Sequence, residues 1–272
     1  MILRDILPEA HRHLLPAVFD EDVPEESFAT CHTCAMVNPN ALPEQTPEGF
    51  FRPDVKCCSY HPNLPNFLVG SILSDDRPDM AEGRDRLRAR IAAQTGVGPV
   101  WLAAPRKYTL LFLASRKTSF GRSLLLRCPY FSPTATHCSI WRHRDSVCTT
   151  FFCKYSSGPA GEAAWRAIES TLRLVERRLA EYAARVLGAE IPSTPAEFDA
   201  LTLEELEDRP NLEKHAVMWG EWNGREETYY RATLEIVAQL HRDDFERILG
   251  DDELTSAAEK AKSLIARVRQ GP

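Results

Sequence analysis

Eight cysteines fall between Cys31 and Cys153, and the 119 residues after them contain none. Thiols confined in this way must be satisfied locally, by disulfides, by metal or by burial, and the redox compartment decides among these. The N-terminal MILRDILPEAHRHLLPAVFDEDVPEE has no basic stretch leading into an apolar one, and no segment reaches the roughly 18 uninterrupted apolar residues of a membrane helix. Export and membrane insertion are therefore not expected, and the setting expected is the cytoplasm. There thiols stay reduced and serve more often as metal ligands than as bridges.

The cysteines form two sets of four in sequence. Cys31-His-Thr-Cys34 comes with the adjacent pair Cys57-Cys58, and then follow Cys128, Cys138, Cys148 and Cys153. Four thiolates suit a tetrahedral zinc ion or an iron–sulfur cluster equally well, so the count predicts two tetrathiolate sites without choosing the metal. Spacing leans toward iron–sulfur, because the 9, 9 and 4 residues between successive members of the second set lack the C-x-x-C knuckles of two-part zinc sites. Neighbouring side chains in extended backbone point to opposite faces, so Cys57 and Cys58 are expected to serve different sites. One would join Cys31 and Cys34 while the other reaches toward the second set.

The second set, in CPYFSPTATHCSIWRHRDSVCTTFFC, resembles the YkgJ-like cysteine-cluster family, a zinc- or iron-chelating domain. The residues that carry the likeness are Cys128, the run Cys138-Ser139-Ile140-Trp141, the stretch from Arg142 to Cys148, and Phe152-Cys153. In that family the early cysteines are usually compressed into C-x-x-C-x-x-C-C, whereas 22 residues separate Cys34 from Cys57 here. The resemblance implies chelation of iron or zinc. One relative, flagellin lysine N-methylase, implies protein modification as a further context. No glycine-rich dinucleotide or P-loop signature accompanies it in this chain.

Other residues near the cysteines invite roles of their own. His32, His61, His137 and His143 are candidate ligands or hydrogen-bond partners of ligands, and with eight thiolates at hand the second role is expected. Arg142, Arg144 and Lys154 would offset the negative charge of a thiolate site. Phe131, Trp141, Phe151 and Phe152 would wall it off from water. Farther along, His215, Trp219, Glu221, Trp222, Arg225, Glu226 and Tyr229 gather aromatic and titratable groups around Gly220 and Gly224, as a pocket or a packed helix junction would.

The chain changes character at Ser156-Ser157-Gly158-Pro159, dividing a cysteine-rich part, 1–158, from a helical part, 159–272, as two domains or one integrated unit. Within the first, a short helix is expected over 85–94, and the β-leaning runs 108–114 and 123–127 read as a hairpin delivering Cys128. The second opens with Trp165, Ile168, Leu172, Val175, Leu179, Tyr182 and Val186 at alternating steps of three and four, one stripe of an amphipathic helix. Thr194-Pro195-Ala196-Glu197 has the makings of another helix start. Further stripes occur at Tyr229, Thr233, Ile236 and Leu240, and at Ala257, Ala261, Leu264 and Val268. The fold class expected is α+β: an irregular metal-binding part with a small hairpin, packed on a C-terminal helical bundle.

A net charge of −6 and a pI near 5.8 argue against nucleic acid as a partner. Three functions follow as expectations. The first is an iron–sulfur protein acting in electron transfer with a redox partner, or as a component of a cluster-dependent enzyme. The second is a structural zinc protein that binds a protein partner. The third is a protein-modifying enzyme.

Overall fold

A computed structural model describes residues 2–23, 33–191 and 201–270. Cys31 and His32, and the helix start expected at 194, lie outside the described residues. The chain is mostly helical, with two small antiparallel strand pairs, an α+β architecture. In order come α1 (Glu9–Arg12), β1 (Leu64–Pro65), α2 (Asn66–Ser74), α3 (Ala81–Ala92), β2 (Trp101–Leu102), α4 (Arg106–Ser119), β3 (Phe131–Ser132), β4 (His137–Cys138), α5 (Ser146–Thr150), α6 (Gly158–Val186), α7 (Leu203–Leu206), α8 (Leu212–Trp219), α9 (Glu226–Ala238), α10 (Arg242–Leu249) and α11 (Asp252–Gln270). No described helix is long and apolar enough to cross a membrane.

The 29-residue α6 is the spine. Trp165, Ile168, Leu172, Val175 and Leu179 are buried along it as the stripe predicts, whereas Val186, in its last turn, is exposed. The buried face also carries Ala180, Ala183 and Ala184, whose small side chains allow close approach of neighbouring backbone. Gly188, at φ 71°, ends the helix in the left-handed conformation that costs glycine little. Leu254, Ala261 and Ile265 of α11, Val237 of α9, Phe245 of α10, and Leu3, Leu7, Leu14, Leu15 and Phe19 from the N-terminus all close on this stripe.

Helix α2, NFLVGSILS, is apolar on two sides because it stands between two cores, with Ser71 and Ser74 on what remains. Phe67 and Leu68 join the α6 core. Val69, Ile72 and Leu73 face a second one, made with Leu87, Ile91, Leu102, Tyr130, Ile140, Trp219, Tyr229 and Tyr230. Asn66 starts the helix, fully buried; its Nδ2 donates to the carbonyls of Pro99 (2.9 Å) and Ala180 (2.8 Å). Both cores draw on residues either side of 158.

The expected hairpin at 108–127 is absent. Residues Arg106–Ser119 form α4, which follows Pro105 and has Arg116 and Lys117 in its last turn, while Leu124–Leu126 is a single 3-10 turn. A short apolar run has no periodicity that separates strand from helix, and among the described residues no partner strand lies beside this one. The small hairpin lies later, where Phe131 pairs with Cys138 and Ser132 with His137.

Candidate metal centre

The segment bearing Cys57 and Cys58 is shaped by a turn and held from outside. Val55 N and Lys56 N both donate to the Arg52 carbonyl, and Lys56 takes a left-handed φ of 56°. Its buried Nζ donates to Thr136 O (2.6 Å), tying this turn to the hairpin between Cys128 and Cys138. Beyond the pair, Ser59 Oγ accepts from Gly121 N (2.7 Å), and Tyr108 on α4 donates its hydroxyl to the carbonyls of Ser59 and Leu126. Cys128 N donates to Cys58 O (2.7 Å), laying those two residues side by side.

Cys128, Cys138 and Cys148 then gather. Cys128 is buried within the second core, against which Cys58 and Cys138 also pack. Burial pushes the Cys128 thiol up, and the nearby Cys138 adds to the shift. The Cys148 thiol is raised by burial, then by Asp145, Cys128 and Cys138. Tyr60 and Tyr108 also feel Cys148, so the 57–60 segment and α4 border the same place. Cys57 pairs with Cys153, which is raised chiefly by its hydrogen bond to Cys57 and also by burial, and Cys57 acts on Cys128 as well. Cys34 sits in a turn closed by Val37 N on its carbonyl (3.0 Å), adjoining Phe51, whose N donates to Met36 O.

Both adjacent cysteines meet the second set: Cys58 lies beside Cys128, and Cys57 interacts with Cys153 and with Cys128. Cys153, last in its set by sequence, stands with Cys57. Every described cysteine is a free thiol. Among the described residues, no three His, Cys, Asp or Glu side chains stand close enough to hold a metal ion as they are. Protonated thiols have nothing to draw their sulfurs together; a cation supplies that attraction as it displaces the protons. In donor chemistry, three mutually interacting thiols in an apolar setting suit a thiophilic metal.

The segment from Cys138 to Cys148 is fixed residue by residue. Ser139 N and Oγ both donate to Tyr130 O (2.8 Å each). Gly83 of α3 lies so close that an added Cβ would stand 2.3 Å from Ser139 O. Arg144 lies over the Trp141 ring at 3.5 Å and donates to Cys148 O (2.9 Å), while its charge acts to lower the Cys148 thiol. Lys154 acts similarly on Cys153, and Arg142 instead pairs with Asp79 (3.2 Å). Asp145 caps α5, its Oδ1 accepting from Cys148 N (3.0 Å). Burial raises this acid to about 6. Behind it, Glu176 on α6 accepts from Ser146 N (3.2 Å) and is raised by burial, and by Asp145, to about 8. His11 Nε2 lies 4.0 Å from Glu176 Oε1, and burial lowers His11 to about 3, so both groups are neutral near pH 7.

Neither Asp145 nor Glu176 was expected from the sequence, although signals for both exist. Asp145 stands three residues before Cys148, where an N-cap belongs, and Glu176 breaks the apolar face between Leu172 and Leu179. A cleft of about 900 Å³ has Tyr60, Asp145, Ser146 and Glu176 in its wall.

The histidines divide. His143 is engaged at both ring nitrogens by Ser71 and Asp75, His61 is buried between the rings of Tyr108 and Tyr130, and His137 Nδ1 lies 3.0 Å from Cys138 O. The expected aromatic wall is dispersed. Phe131 is buried, Trp141 and Phe151 are exposed, and Phe152 packs on Trp165 at 4.6 Å. In the C-terminal part, His215 Nε2 meets Glu226 (2.9 Å), Trp219 stacks edge-on against Tyr229 and Tyr230, and Arg225 lies over Trp222. His215 also lines the cleft.

No protein-family model matches the chain, and no match was found among the curated proteins or the solved structures.

Proposed function

We propose that this chain is a metal-binding protein with cysteine-ligated iron–sulfur centres, acting in electron transfer or as the cluster-bearing component of an enzyme. The observation that carries the reading is the gathering of Cys128, Cys138 and Cys148 as free, mutually interacting thiols, with Cys58 against the same core. Cys128 is buried and Cys138 and Cys148 are half-buried, and the reactivity of a free thiol, more than its packing, is what gives such a residue its use. These four form the first ligand set. Cys57 and Cys153, with Cys34 and Cys31, form the second.

An iron–sulfur centre supplies one-electron chemistry when bound. The chain's own residues exclude water with Tyr130, Ile140 and Val69, and they bring Arg144 and Lys154 near the two thiol groups to offset their charge. Low polarity and nearby cations tune the potential of such a centre. The likeness of the Cys128 to Cys153 stretch to the YkgJ-like family supports chelation of iron or zinc.

Zinc in the same ligands is the second reading, favoured by one feature: the segments around the cysteines are mostly turns, of the kind a structural metal crosslinks. Visible absorption after anaerobic purification separates the two. Visible charge-transfer bands that bleach on reduction support iron–sulfur centres. A colourless protein containing zinc supports the second reading, and a colourless protein without metal overturns both.

A further inference from the structure

The loop that carries Cys138 and Cys148 is fastened to α2 at His143, five residues from each. His143 is buried, with Nε2 2.7 Å from Asp75 Oδ2 and Nδ1 2.9 Å from Ser71 Oγ. Ser71 and Asp75 stand four residues apart, one on α2 and the other just past its end, so a single imidazole bridges one turn of backbone. Asp75 is itself gripped by Arg77 through Nε (2.8 Å) and Nη2 (2.5 Å), which holds its carboxyl well below the usual range. Burial lowers His143, so the ring is neutral and its contact with Asp75 is a hydrogen bond, not an ion pair. With Asp75 ionised, the proton sits on Nε2, and Nδ1 accepts from the Ser71 hydroxyl.

Serine, histidine and aspartate joined in this order are also the parts of a hydrolytic relay. The location opposes that use. Ser71 lies in the C-terminal half of α2, where the carbonyl ends disfavour a developing alkoxide or oxyanion, and helix N–H groups that would stabilise one are at the other end. What the arrangement does is hold: 3-10 turn Trp141–His143 is pinned to the helix that separates the two cores.

The geometry points to His143 as a positioning residue for the Cys128–Cys138–Cys148 centre, fixing the loop between two of its ligands to α2 through Ser71 and Asp75. This rests on the metal-binding reading proposed above. Groups hydrogen-bonded directly to a ligand are typically worth about 10- to 100-fold in metal affinity, and His143, which acts through the loop backbone, is expected to fall at or below the lower end of that range.

The test loads the full chain with Co(II) alone, whose thiolate charge-transfer and ligand-field bands report the geometry of the sulfurs. His143→Ala is expected to bind Co(II) up to about 10-fold more weakly and to shift the ligand-field bands. His143→Gln, whose amide N–H takes the place of Nε2–H against Asp75, is expected to recover most of both. Ser71→Ala tests the same bridge with little risk to folding; a shifted spectrum at unchanged melting temperature is expected. If wild type binds Co(II) and all three variants match it in affinity and spectrum, the inference is overturned. So it is if His143→Gln is no better than His143→Ala, since the ring would then serve only as bulk. A wild type that binds no Co(II) fails earlier, at the metal-binding reading itself. Covalent labelling of Ser71 by a fluorophosphonate, lost in His143→Ala, would overturn positioning in favour of a nucleophile.

Discussion

Replacing Gly70 by alanine probes the contact between α2 and α9, through which the cysteine-bearing part meets the helical one. A Cβ on Gly70 would stand 2.1 Å from Tyr230 O, 2.8 Å from Tyr230 C and 3.0 Å from Leu234 Cβ. Two of these neighbours are helix backbone, which has no rotamer to swing away. Restoring an ordinary contact of 3.4 Å or more requires the helices to part by more than about 1 Å. Overpacking of this kind costs about 1–3 kcal/mol and more where backbone must move, whereas alanine in a helix regains at most about 1 kcal/mol over glycine. A net loss of about 2 kcal/mol is expected, which for a chain of this size lowers the melting temperature by roughly 4–8 °C. Urea titration followed by far-UV circular dichroism measures it. The expected result is a lower midpoint with an unchanged slope, since the surface exposed on unfolding stays the same. A Gly70→Ala chain as stable as wild type, or more so, would refute the close approach and with it the placement of α2 between the cores.

Three further outcomes are expected. Cys57→Ser and Cys153→Ser should remove the same metal centre and leave the other in place, whereas Cys128→Ser should remove the other; elemental analysis of each variant tells them apart, and identical losses in all three would contradict the division. Asn66→Ala strips a buried amide from the Pro99 and Ala180 carbonyls and should cost about 2–4 kcal/mol in denaturant unfolding, with a change under 1 kcal/mol showing that those carbonyls find other partners. Glu176 has a folded-state value of about 8 against 4.5 when unfolded, so between these the folded state keeps a proton that the unfolded chain has released. Its stabilising contribution is complete below pH 4.5 and lost as pH rises through about 8. Glu176→Gln should therefore gain on wild type between pH 5 and pH 8, and a constant stability difference across that range would exclude Glu176 as the group responsible.

The long helices were legible because their stripes are long. Five apolar positions from Trp165 to Leu179 repeat over four turns, and each is buried as its phase requires. The same periodicity finds α9 and α11. Residues 108–114 misled because seven residues of mixed aromatic and aliphatic character fit either period, and nothing local reveals that no strand lies alongside. In α2 only Ser71 and Ser74 interrupt the apolar residues after Asn66, too few to mark a stripe, so its two-sided burial is invisible until Phe67 and Val69 are seen in different cores. At the candidate site, the expectation that alternation along extended backbone sends Cys57 and Cys58 to different sites meets a turn over residues 53–59 instead, so that premise does not hold for this pair. Which cysteines they meet depends on Lys56 reaching Thr136, a contact between residues 80 apart that no local pattern encodes. The His143 bridge escapes for the same reason, since Ser71 and Asp75 are ordinary helix-surface residues until the loop returns to them.

Metal content in Cys138→Ser and Cys148→Ser chains, measured against wild type by elemental analysis alongside thermal unfolding, tests the central claim most directly. Both residues belong to the same group of interacting thiols, so each substitution should open one four-ligand site, remove its metal and lower the melting temperature, because ligand binding there is coupled to folding. If both variants keep the full wild-type metal content and melt where wild type does, these cysteines are not ligands and the chain is not the metal protein proposed.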